Sequence, residues 1–314
     1  MTERIGAAQR ARIVVIGGAN TDIVGVPTAA LVPRDSNPGH IRLSPGGVGR
    51  NIAENLVRYG VRVSLVTAFG GDVAGRALRD DCEALGIDTS LAIVSKDVPG
   101  AHYLAILDEA RDMSVAVNDM RVLDLVTPEA LAAPARAAAI TCADLVVVDT
   151  NVPAESIAWI ASHATAPVVL EPVSVAKAGR AVAVLSRLAA VTPNAIEAAE
   201  MLGHPVEGLD GAEAAAREFV GLGVGSAFVT CGVAGAAWAD VAGSGVVAAP
   251  DVKVASASGA GDAFCAGVSW ALLAHGSARE AAAAGTAFAA MALTDEGAVS
   301  RRVAPRAARA ARAE

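Results

Sequence analysis

Short runs of consecutive apolar residues, rich in valine and isoleucine, alternate along the chain with longer stretches of helical spacing. The apolar runs cover 12–18, 144–150, 167–172 and 227–232. The helical stretches cover 49–60, 128–139, 196–202 and 211–223. A continuous apolar run of this length is typical of a strand that is buried on both faces of a parallel sheet. The alternation predicts an α/β fold with a mainly parallel sheet flanked by helices.

The segment 100–119 breaks this alternation. It contains two strand-like runs that are joined by the polar turn DEARD, with no helix between them. This pattern predicts a β-hairpin inserted into the α/β body. Together with the extended segment 39–47, the hairpin can form a small sheet over the end of the main sheet. An antiparallel edge of the main sheet is the alternative.

Length and composition are those of a globular chain with a large core. The chain has 314 residues, of which 54% are hydrophobic and 18% are charged. An α/β fold of this length can form one domain. The polar residues 1–10 and the basic, alanine-rich residues 304–314 are expected to be frayed tails.

Charge and cysteine content narrow the class of partner and the compartment. A net charge of −8 argues against a nucleic-acid or anionic-membrane surface, so a small-molecule ligand is expected. The 4 cysteines lack C-x-x-C spacing, which indicates neither a zinc cluster nor a disulfide framework. The N-terminus lacks the pattern of a signal peptide, and no apolar stretch is long enough for a membrane span. A cytoplasmic protein is expected.

The string SASGAGDAFCAG at 256–267 places small residues before an apolar helix. The N–H groups of Gly259, Ala260 and Gly261 at the helix entrance are suited to binding phosphate oxygens. Asp262 would repel a phosphate if it were only a cap, but as a base it would lie beside the phosphorus that a hydroxyl attacks. Phosphoryl transfer to an alcohol uses both features. An ordinary glycine turn with an aspartate cap is the alternative.

Two further segments offer groups that suit a polyol. Gly46 and Gly47 precede a second helix, and Asn51 in its first turn presents both a donor and an acceptor. Asn20 and Asp22 follow the carboxyl end of the first strand, where α/β folds bind ligands. The carboxylate of Asp22 can accept hydrogen bonds from adjacent sugar hydroxyls. Capping roles for Asn51 and Asp22 are the alternatives.

In this order and spacing the motifs resemble the ribokinase-like (PfkB) family of carbohydrate and nucleoside kinases. The similarity runs through GGANTD, GGVGRN, TPNAIEAAEML, SGAGDAFCAG and DEGAVS, and so covers nearly the whole chain. The resemblance implies a three-layer sandwich with a mainly parallel central sheet, a small β-sheet lid and ATP as the phosphate donor. It also implies a single kinase domain over 1–314, into which lid segments at about 35–47 and 98–121 are inserted.

The resemblance implies roles for the motif residues. Asp262 would be the catalytic base, and the anion hole for the moving phosphoryl group would be Gly259, Ala260 and Gly261. The sugar would be held by Asn20, Asp22, Gly46, Gly47 and Asn51.

The resemblance also implies an ATP and magnesium site. Asn194 and Glu197 match the family's N-x-x-E motif, which helps to organise Mg²⁺ and its waters, although alone they would indicate an ordinary helix start. Thr230 and Gly232 fall where the family contacts nucleotide phosphates. Many relatives have an acidic residue six or seven positions before the base, which helps to bind a monovalent cation. This chain has Ser256 there, so K⁺ dependence is left open.

Within the family, the segments SPGGVGRNIAENL, YLAILDEARDMSVAVNDM and EPVSVAKA most resemble pseudouridine kinases, which phosphorylate the 5′-hydroxyl of that nucleoside. Asn118 at the end of a lid strand would face the sugar or the uracil edge. Lys177 would reach a uracil carbonyl or a phosphate, and Ser44 is a weaker substrate-binding candidate. An Asn-Asp turn and a surface lysine are the alternatives.

Other functions stay open at this point. The same family includes kinases for ribose, purine nucleosides and 2-keto-3-deoxygluconate, and their catalytic parts are shared. A non-catalytic sugar-binding protein is a further alternative. A dinucleotide-binding protein is disfavoured, because IGGANTDIVG lacks G-x-G-x-x-G after the first strand. A homodimer through the β lid is also expected from the resemblance.

Overall fold

The centre of the fold is a sheet of eight strands in the order β14-β13-β12-β11-β10-β9-β1-β4, as seen in a computed structural model that describes residues 11–302. Its strands are β1 (Arg12–Ile16), β4 (Arg62–Val66), β9 (Leu145–Asp149), β10 (Val168–Glu171), β11 (Ala190–Val191), β12 (Ser226–Thr230), β13 (Ala236–Asp240) and β14 (Gly243–Val247). All neighbours pair in parallel except at β12-β13 and β13-β14. The predicted mainly parallel sheet is confirmed. The tails predicted at 1–10 and 304–314 lie outside the described residues.

Helices cover both faces of this sheet. One face carries α1 (Val48–Arg58), α2 (Val73–Ala84), α9 (Ala260–Leu273) and α10 (Ala278–Leu293). The other face carries α3 (Pro128–Leu131), α4 (Pro134–Thr141), α5 (Ala154–His163), α6 (Val175–Ala178), α7 (Ala195–Leu202) and α8 (Gly208–Gly221). Alternate strand residues serve the two cores: Ile13 packs on the first side and Val14 on the second. Three layers result, because most side chains of the central strands are buried under the helices on one face or the other.

A separate sheet of four strands, called the lid sheet below, has the order β3-β2-β7-β8. Its strands are β2 (Asn20–Pro27), β3 (Gly39–Gly46), β7 (His102–Leu107) and β8 (Met113–Asp119). β2 pairs antiparallel with β3 and parallel with β7, and β7 pairs antiparallel with β8. The predicted hairpin and its pairing into a small sheet are confirmed. The alternative, an antiparallel edge of the main sheet, is wrong.

Two predicted elements differ from the structure. The helix predicted at 128–139 is divided into α3 and α4, because Pro134 has no N–H for a continuous helix and instead begins the second one. Asn20 and Asp22, placed by the sequence just beyond the first strand, lie inside strand β2. The chain crosses from the main sheet to the lid sheet in only three residues, 17–19, so a strand begins where the sequence indicated a loop.

The remaining elements connect these layers. A small parallel pair joins β5 (Ala68–Gly70) to β6 (Ile93–Ser95). The 3₁₀ helices cover Arg121–Leu125, Gly179–Arg187 and Gly232–Ala234. The cysteines Cys82, Cys142, Cys231 and Cys265 are free thiols. Between residues 11 and 302, none of the helices combines the length and the apolar character that crossing a bilayer requires.

Candidate active site

Two helix entrances that are far apart in sequence meet at the carboxyl end of the main sheet. Asn51 in the first turn of α1 donates from Nδ2 to Oδ2 of Asp262 in the first turn of α9, at 2.8 Å. Each helix begins after a glycine with positive φ, Gly47 at +99° and Gly259 at +78°. Other residues are strained in this region, so glycine is required at both entrances. The predicted base and one predicted sugar ligand therefore lie together.

Close backbone approach gives a second reason for these glycines. A Cβ on Gly47 would lie 2.6 Å from Cα of Ala19, and one on Gly259 would lie 2.7 Å from Cα of Ala298. The segment DEGAVS, which contains Ala298, thus packs against the entrance of α9. This contact explains why the segment DEGAVS, which follows Asp262 by more than thirty residues, accompanies the motif SGAGDAFCAG.

Four of the predicted anion-hole and nucleotide residues share one pocket, whose lining does not include Gly259 or Asn194. Ala260 and Gly261 line a pocket of about 510 Å³ together with Thr230 and Gly232. Apart from its chain neighbours and the backbone of its own helix, no atom of residues 11–302 lies within 4 Å of the position that a Cβ on Gly261 would take. The entrance of α9 is therefore open toward this pocket, and its N–H groups are suited to an anion there.

The rest of this pocket is mainly apolar. Its lining includes Val233, Val252, Val254, Phe264 and Leu293. A concave apolar pocket with a few polar groups at one end is typical of a site for a small molecule or cofactor. The apolar part of the pocket suits a flat aromatic base, and the helix entrance at Ala260 and Gly261 suits a phosphate chain.

Asp262 has the electrostatics of a base that works near neutral pH. Desolvation raises the pKa of this carboxyl to about 7, against the hydrogen bond that Asn51 donates. The negative charges of Asp149, Asp22 and Glu197 raise the pKa further. A general base is most effective when its pKa lies close to the working pH.

Arg50 is buried beside Asn51 and was not singled out from the sequence. Its Nη1 donates to Oδ1 of Asn51 at 3.2 Å, and its Nη2 donates to Asp81 at 2.9 Å. Its Nη1 also pairs with Glu54 at 2.5 Å. Because Oδ1 of Asn51 accepts from Arg50, Nδ2 is the atom that faces Asp262. Its position within the helical stretch 49–60, next to a candidate ligand, was the available signal.

Asn194 and Glu197 form a capping box at the start of α7. Oδ1 of Asn194 accepts from the N–H groups of Ile196 and Glu197 at 2.9 Å, and Oε2 of Glu197 accepts from the N–H of Asn194 at 2.9 Å. The alternative of a helix start is thus present in the structure. A backbone bridge joins Asn194 to Thr230, so this helix start lies next to the pocket described above.

Glu171 at the end of β10 is a further acidic residue that the sequence interpretation missed. It is 5% exposed and accepts a hydrogen bond from the hydroxyl of Thr192 at 2.5 Å. Burial raises its pKa well above the usual range, and the negative charges of Glu197 and Asp262 add to this. A single acidic residue that ends the apolar run VVLE was the available signal.

These carboxylates are suited to a hard cation such as Mg²⁺, whose ligands are oxygens. Burial also raises the pKa of Glu197, so nearby positive charge would favour the ionised form of both glutamates. Among residues 11–302, no cluster of three or more His, Cys, Asp or Glu side chains could hold a metal ion by itself. Because Mg²⁺ usually keeps several waters, Glu197 and Glu171 fit a water-mediated site shared with nucleotide phosphates.

The predicted sugar ligands of the lid sheet lie in one place. Nδ2 of Asn20 donates to Oδ1 of Asp22 at 2.6 Å, and the carboxylate of Asp22 lies against Gly46, where a Cβ would be 2.8 Å from Oδ1. Asp22 pairs with Ser44 on β3 in the strand register. Burial raises the pKa of Asp22.

Asn118 and Asp119 separate onto opposite faces of the lid sheet, because neighbouring strand residues alternate. Asn118 pairs with Tyr103, which pairs with Asp22, so Asn118 lies in the same row as the sugar ligands. Asp119 instead accepts from Arg121, which lowers the pKa of Asp119 to about 2.

Lys177 lies in the short helix α6 that follows β10, and its Nζ donates to Oδ1 of Asn151 at 2.6 Å. Burial lowers its pKa, so it is more than a simple surface lysine. Its described partner belongs to the turn after β9 and not to the lid sheet. A contact with substrate at this residue stays a prediction.

Asp149 connects the same turn to the helix entrance of α1, and it was also missed. It is fully buried and accepts from the N–H groups of Gly18 and Gly49 at 2.8 and 2.7 Å. Ser256, at the position of the family's acidic residue, accepts from the N–H of Ser258 at 3.2 Å. K⁺ dependence stays open.

The known proteins that this chain resembles are carbohydrate and nucleoside kinases. A family model described as pfkB family carbohydrate kinase matches residues 10–304. A pseudouridine kinase of Escherichia coli (strain K12) is 34% identical over 258 residues, which are 82% of each chain. A solved carbohydrate kinase from Agrobacterium tumefaciens has a TM-score of 0.84 at 27% identity and covers 96% of both chains.

A solved ribokinase of Arabidopsis thaliana, complexed with ribose and ATP, has a TM-score of 0.83 at 21% identity and covers 94% of this chain and 97% of that chain. At this identity the likeness concerns the fold alone. The family resemblance and the ribokinase-like fold predicted from the sequence are confirmed. The chain belongs to the pfkB family of carbohydrate kinases, and it is a phosphotransferase whose acceptor is an alcohol group.

Proposed function

We propose that this kinase transfers the γ-phosphate of ATP to the 5′-hydroxyl of pseudouridine, giving pseudouridine 5′-phosphate. The observation that carries the proposal is the hydrogen bond between Asn51 and Asp262, at 2.8 Å. It supports Asp262 as the base, because it joins this carboxylate to a candidate sugar ligand while the neighbouring Ala260 and Gly261 line the pocket. Similarity to the pseudouridine kinase of Escherichia coli supports this acceptor.

The reaction needs one proton transfer and one phosphoryl transfer. Asn20, Asp22 and Asn51 hold the ribose and direct the 5′-hydroxyl toward Asp262. Asp262 takes the hydroxyl proton as the bond from O5′ to the γ-phosphorus forms and the bond to the β,γ-bridging oxygen breaks, which releases ADP. N–H groups at Ala260 and Gly261 stabilise the charge on the moving phosphoryl group.

The metal and the lid complete the proposed site. Mg²⁺, bound with ATP, would neutralise phosphate charge, with Glu197 and Glu171 holding its waters. Closure of the lid segments, about 35–47 and 98–121 within one kinase domain, would exclude water and so limit ATP hydrolysis. Ser44, Gly46 and Gly47 border the acceptor side. Thr230, Gly232 and Asn194 border the nucleotide side.

An acceptor panel tests the proposal. Purified protein with ATP and Mg²⁺ is supplied with pseudouridine, uridine, adenosine, guanosine, ribose or 2-keto-3-deoxygluconate, while ADP release is followed and products are identified by mass. Turnover confined largely to pseudouridine is expected. Strong turnover of another acceptor would contradict the proposed substrate, but it would still support kinase activity.

The same panel distinguishes a non-catalytic sugar-binding protein. Absence of ADP release with every acceptor, together with measurable sugar binding by calorimetry, would favour that function. Omission of Mg²⁺ and exchange of K⁺ for Na⁺ in the pseudouridine reaction test the two cations separately. A cytoplasmic location also stays a prediction, supported by the free thiols.

We also propose a homodimer that is formed through the outer face of the lid sheet, the face opposite Asp22. Its exposed apolar residues are Ile41, Leu43, Leu104, Val115 and Val117. A contiguous exposed apolar patch marks an interaction surface, and two equal patches can cover each other. Light scattering of wild type and of Leu43→Asp is the test. A dimer that becomes monomeric in the variant is expected, and a monomeric wild type would contradict the dimer.

A further inference from the structure

The inner face of the lid sheet, the face that carries Asp22, has one phenyl-type ring, and the imidazole of His40 lies on the same face two rows further along β3. The four lid strands contain no Phe, no Trp and a single Tyr, Tyr103. Tyr103 pairs with Asp22 on one side and with Asn118 on the other. Because directly paired residues point to the same face of a sheet, the three side chains share a row.

The ring of Tyr103 extends along this face away from the row. Its hydroxyl donates to Sδ of Met113 at 3.4 Å, and Met113 pairs with Leu107, four positions further along β7. The next row on the same face contains the small residues Ala105 and Ala116. Small side chains on β7 and β8 at this place leave space beside the ring, and Val24 and Arg42 continue the row on β2 and β3.

The ring of Tyr103 lies beside the proposed ribose ligands, where the base of a bound nucleoside would begin. A nucleoside carries its base directly on the ribose, so the surface next to the sugar ligands must contact that base. Base–aromatic stacking contributes substantially to binding and accepts any base. The amide of Asn118 in the same row offers two donors and an acceptor, which suit the alternating carbonyl and N–H groups of a pyrimidine edge.

We infer that Tyr103 is the platform on which the base of the acceptor stacks, and that it thereby makes the enzyme prefer nucleosides over free sugars. The inference rests on the proposed function, since it concerns the nucleoside part of the same acceptor. Tyr103 would thus determine which acceptor binds, whereas Asp262 would take the proton from the acceptor hydroxyl.

The test measures kcat and KM for pseudouridine, and turnover or competitive inhibition by ribose, in wild type, Tyr103→Phe and Tyr103→Leu. Tyr103→Leu removes the flat ring and keeps an apolar side chain, so KM for pseudouridine is expected to rise about tenfold. Values for ribose are expected to change less than about twofold, because ribose has no base. Tyr103→Phe keeps the ring and is expected to resemble wild type.

The chain offers a matched control. Tyr59, the other of its 2 tyrosines, packs against Phe288, and its hydroxyl also donates to a methionine sulfur, Met291 Sδ, at 2.9 Å. Tyr59→Phe is expected to leave both KM values unchanged. Thermal unfolding of every variant shows whether the lid sheet and the body remain folded.

Three outcomes would overturn the inference. An equal loss for pseudouridine and ribose in Tyr103→Leu would make Tyr103 a support of the lid sheet. No loss for pseudouridine would remove the stacking contact. A wild-type enzyme that phosphorylates no nucleoside would refute the proposed substrate and the platform together, and this result is seen before any variant is made.

Discussion

The two sheets of this kinase obtain their order in different ways. All five residues of β9 in the main sheet are buried, whereas the first five residues of β3 in the lid sheet are exposed. Burial of apolar side chains under helices stabilises the main sheet from within. The lid sheet has little core of its own, and its strands are held mainly by the hydrogen bonds between them. Its order therefore depends more on what binds to its two faces.

The same difference separates the proposed tasks. The acidic residues that would handle protons and phosphate charge belong to elements of the main sheet and its helices, and they are Asp262, Glu171 and Glu197. The row that would hold the acceptor belongs to the lid sheet. Chemistry needs positions that a rigid core maintains, while recognition can use a surface that opens and closes. Substitutions in the two regions should accordingly change different kinetic constants.

The largest effect is expected at Asp262. Asp262→Asn removes the proton acceptor, so kcat should fall by about 10²–10⁴-fold. Binding of pseudouridine, measured by calorimetry, should persist, because the lid sheet is intact. Asp80→Asn, on the exposed face of α2, is the matched control and should retain full activity. Undiminished turnover in Asp262→Asn would show that another group takes the proton.

Stability provides a second comparison of the sheets. Phe228 in β12 is 0% exposed, so Phe228→Ala should lower the free energy of unfolding by about 3–5 kcal/mol. Val117 in β8 is 61% exposed, so Val117→Ala should lower it by less than about 0.5 kcal/mol. Urea unfolding at low protein concentration measures both. Similar losses would mean that the outer face of the lid sheet is covered even in the monomer.

The pH dependence of activity sharpens the account of the base. The pKa of Asp262 is raised to about 7. Because only the ionised carboxylate can accept the proton, kcat/KM for the acceptor should decrease as the pH falls through neutrality. The hydrogen bond from Asn51 favours the carboxylate, so Asn51→Ala should move this decrease to higher pH. A pH series at saturating ATP measures the midpoint. A profile that stays flat across neutral pH would contradict a base with a raised pKa.

The smallest effect is expected in the stability of Asp262→Asn. The folded state binds the Asp262 proton more tightly than the unfolded state, so ionisation of this group opposes folding as pH rises from about 4 through 7. Asparagine cannot ionise, so the variant should unfold about 2 °C above wild type at pH 8, by calorimetry. The gain should disappear only near about pH 3, where the carboxyl is protonated in both the folded and the unfolded state. Equal unfolding temperatures at both pH values would argue against a carboxyl with a raised pKa.

Much of the fold was predictable from hydrophobic patterning. The apolar runs at β1, β9, β10 and β12 have one environment, burial on both faces, so periodicity identifies them without tertiary information. The hairpin at 100–119 was predictable because a polar turn joins two strands directly. Strand β2 was missed because its residues are partly exposed on both faces, and its neighbours β3 and β7 are supplied by distant parts of the chain.

The sequence by itself determined the family, the strand and helix alternation, and the glycine-led helix entrance that contains Asp262. These features are local, since a few consecutive residues decide burial, φ and exposed N–H groups. Only the tertiary structure decided that Asn51 contacts Asp262, that Glu171 lies in their electric field, and that Tyr103 shares a row with Asp22. Such pairs join residues far apart in the chain, and their distance and charge exist only once the layers pack.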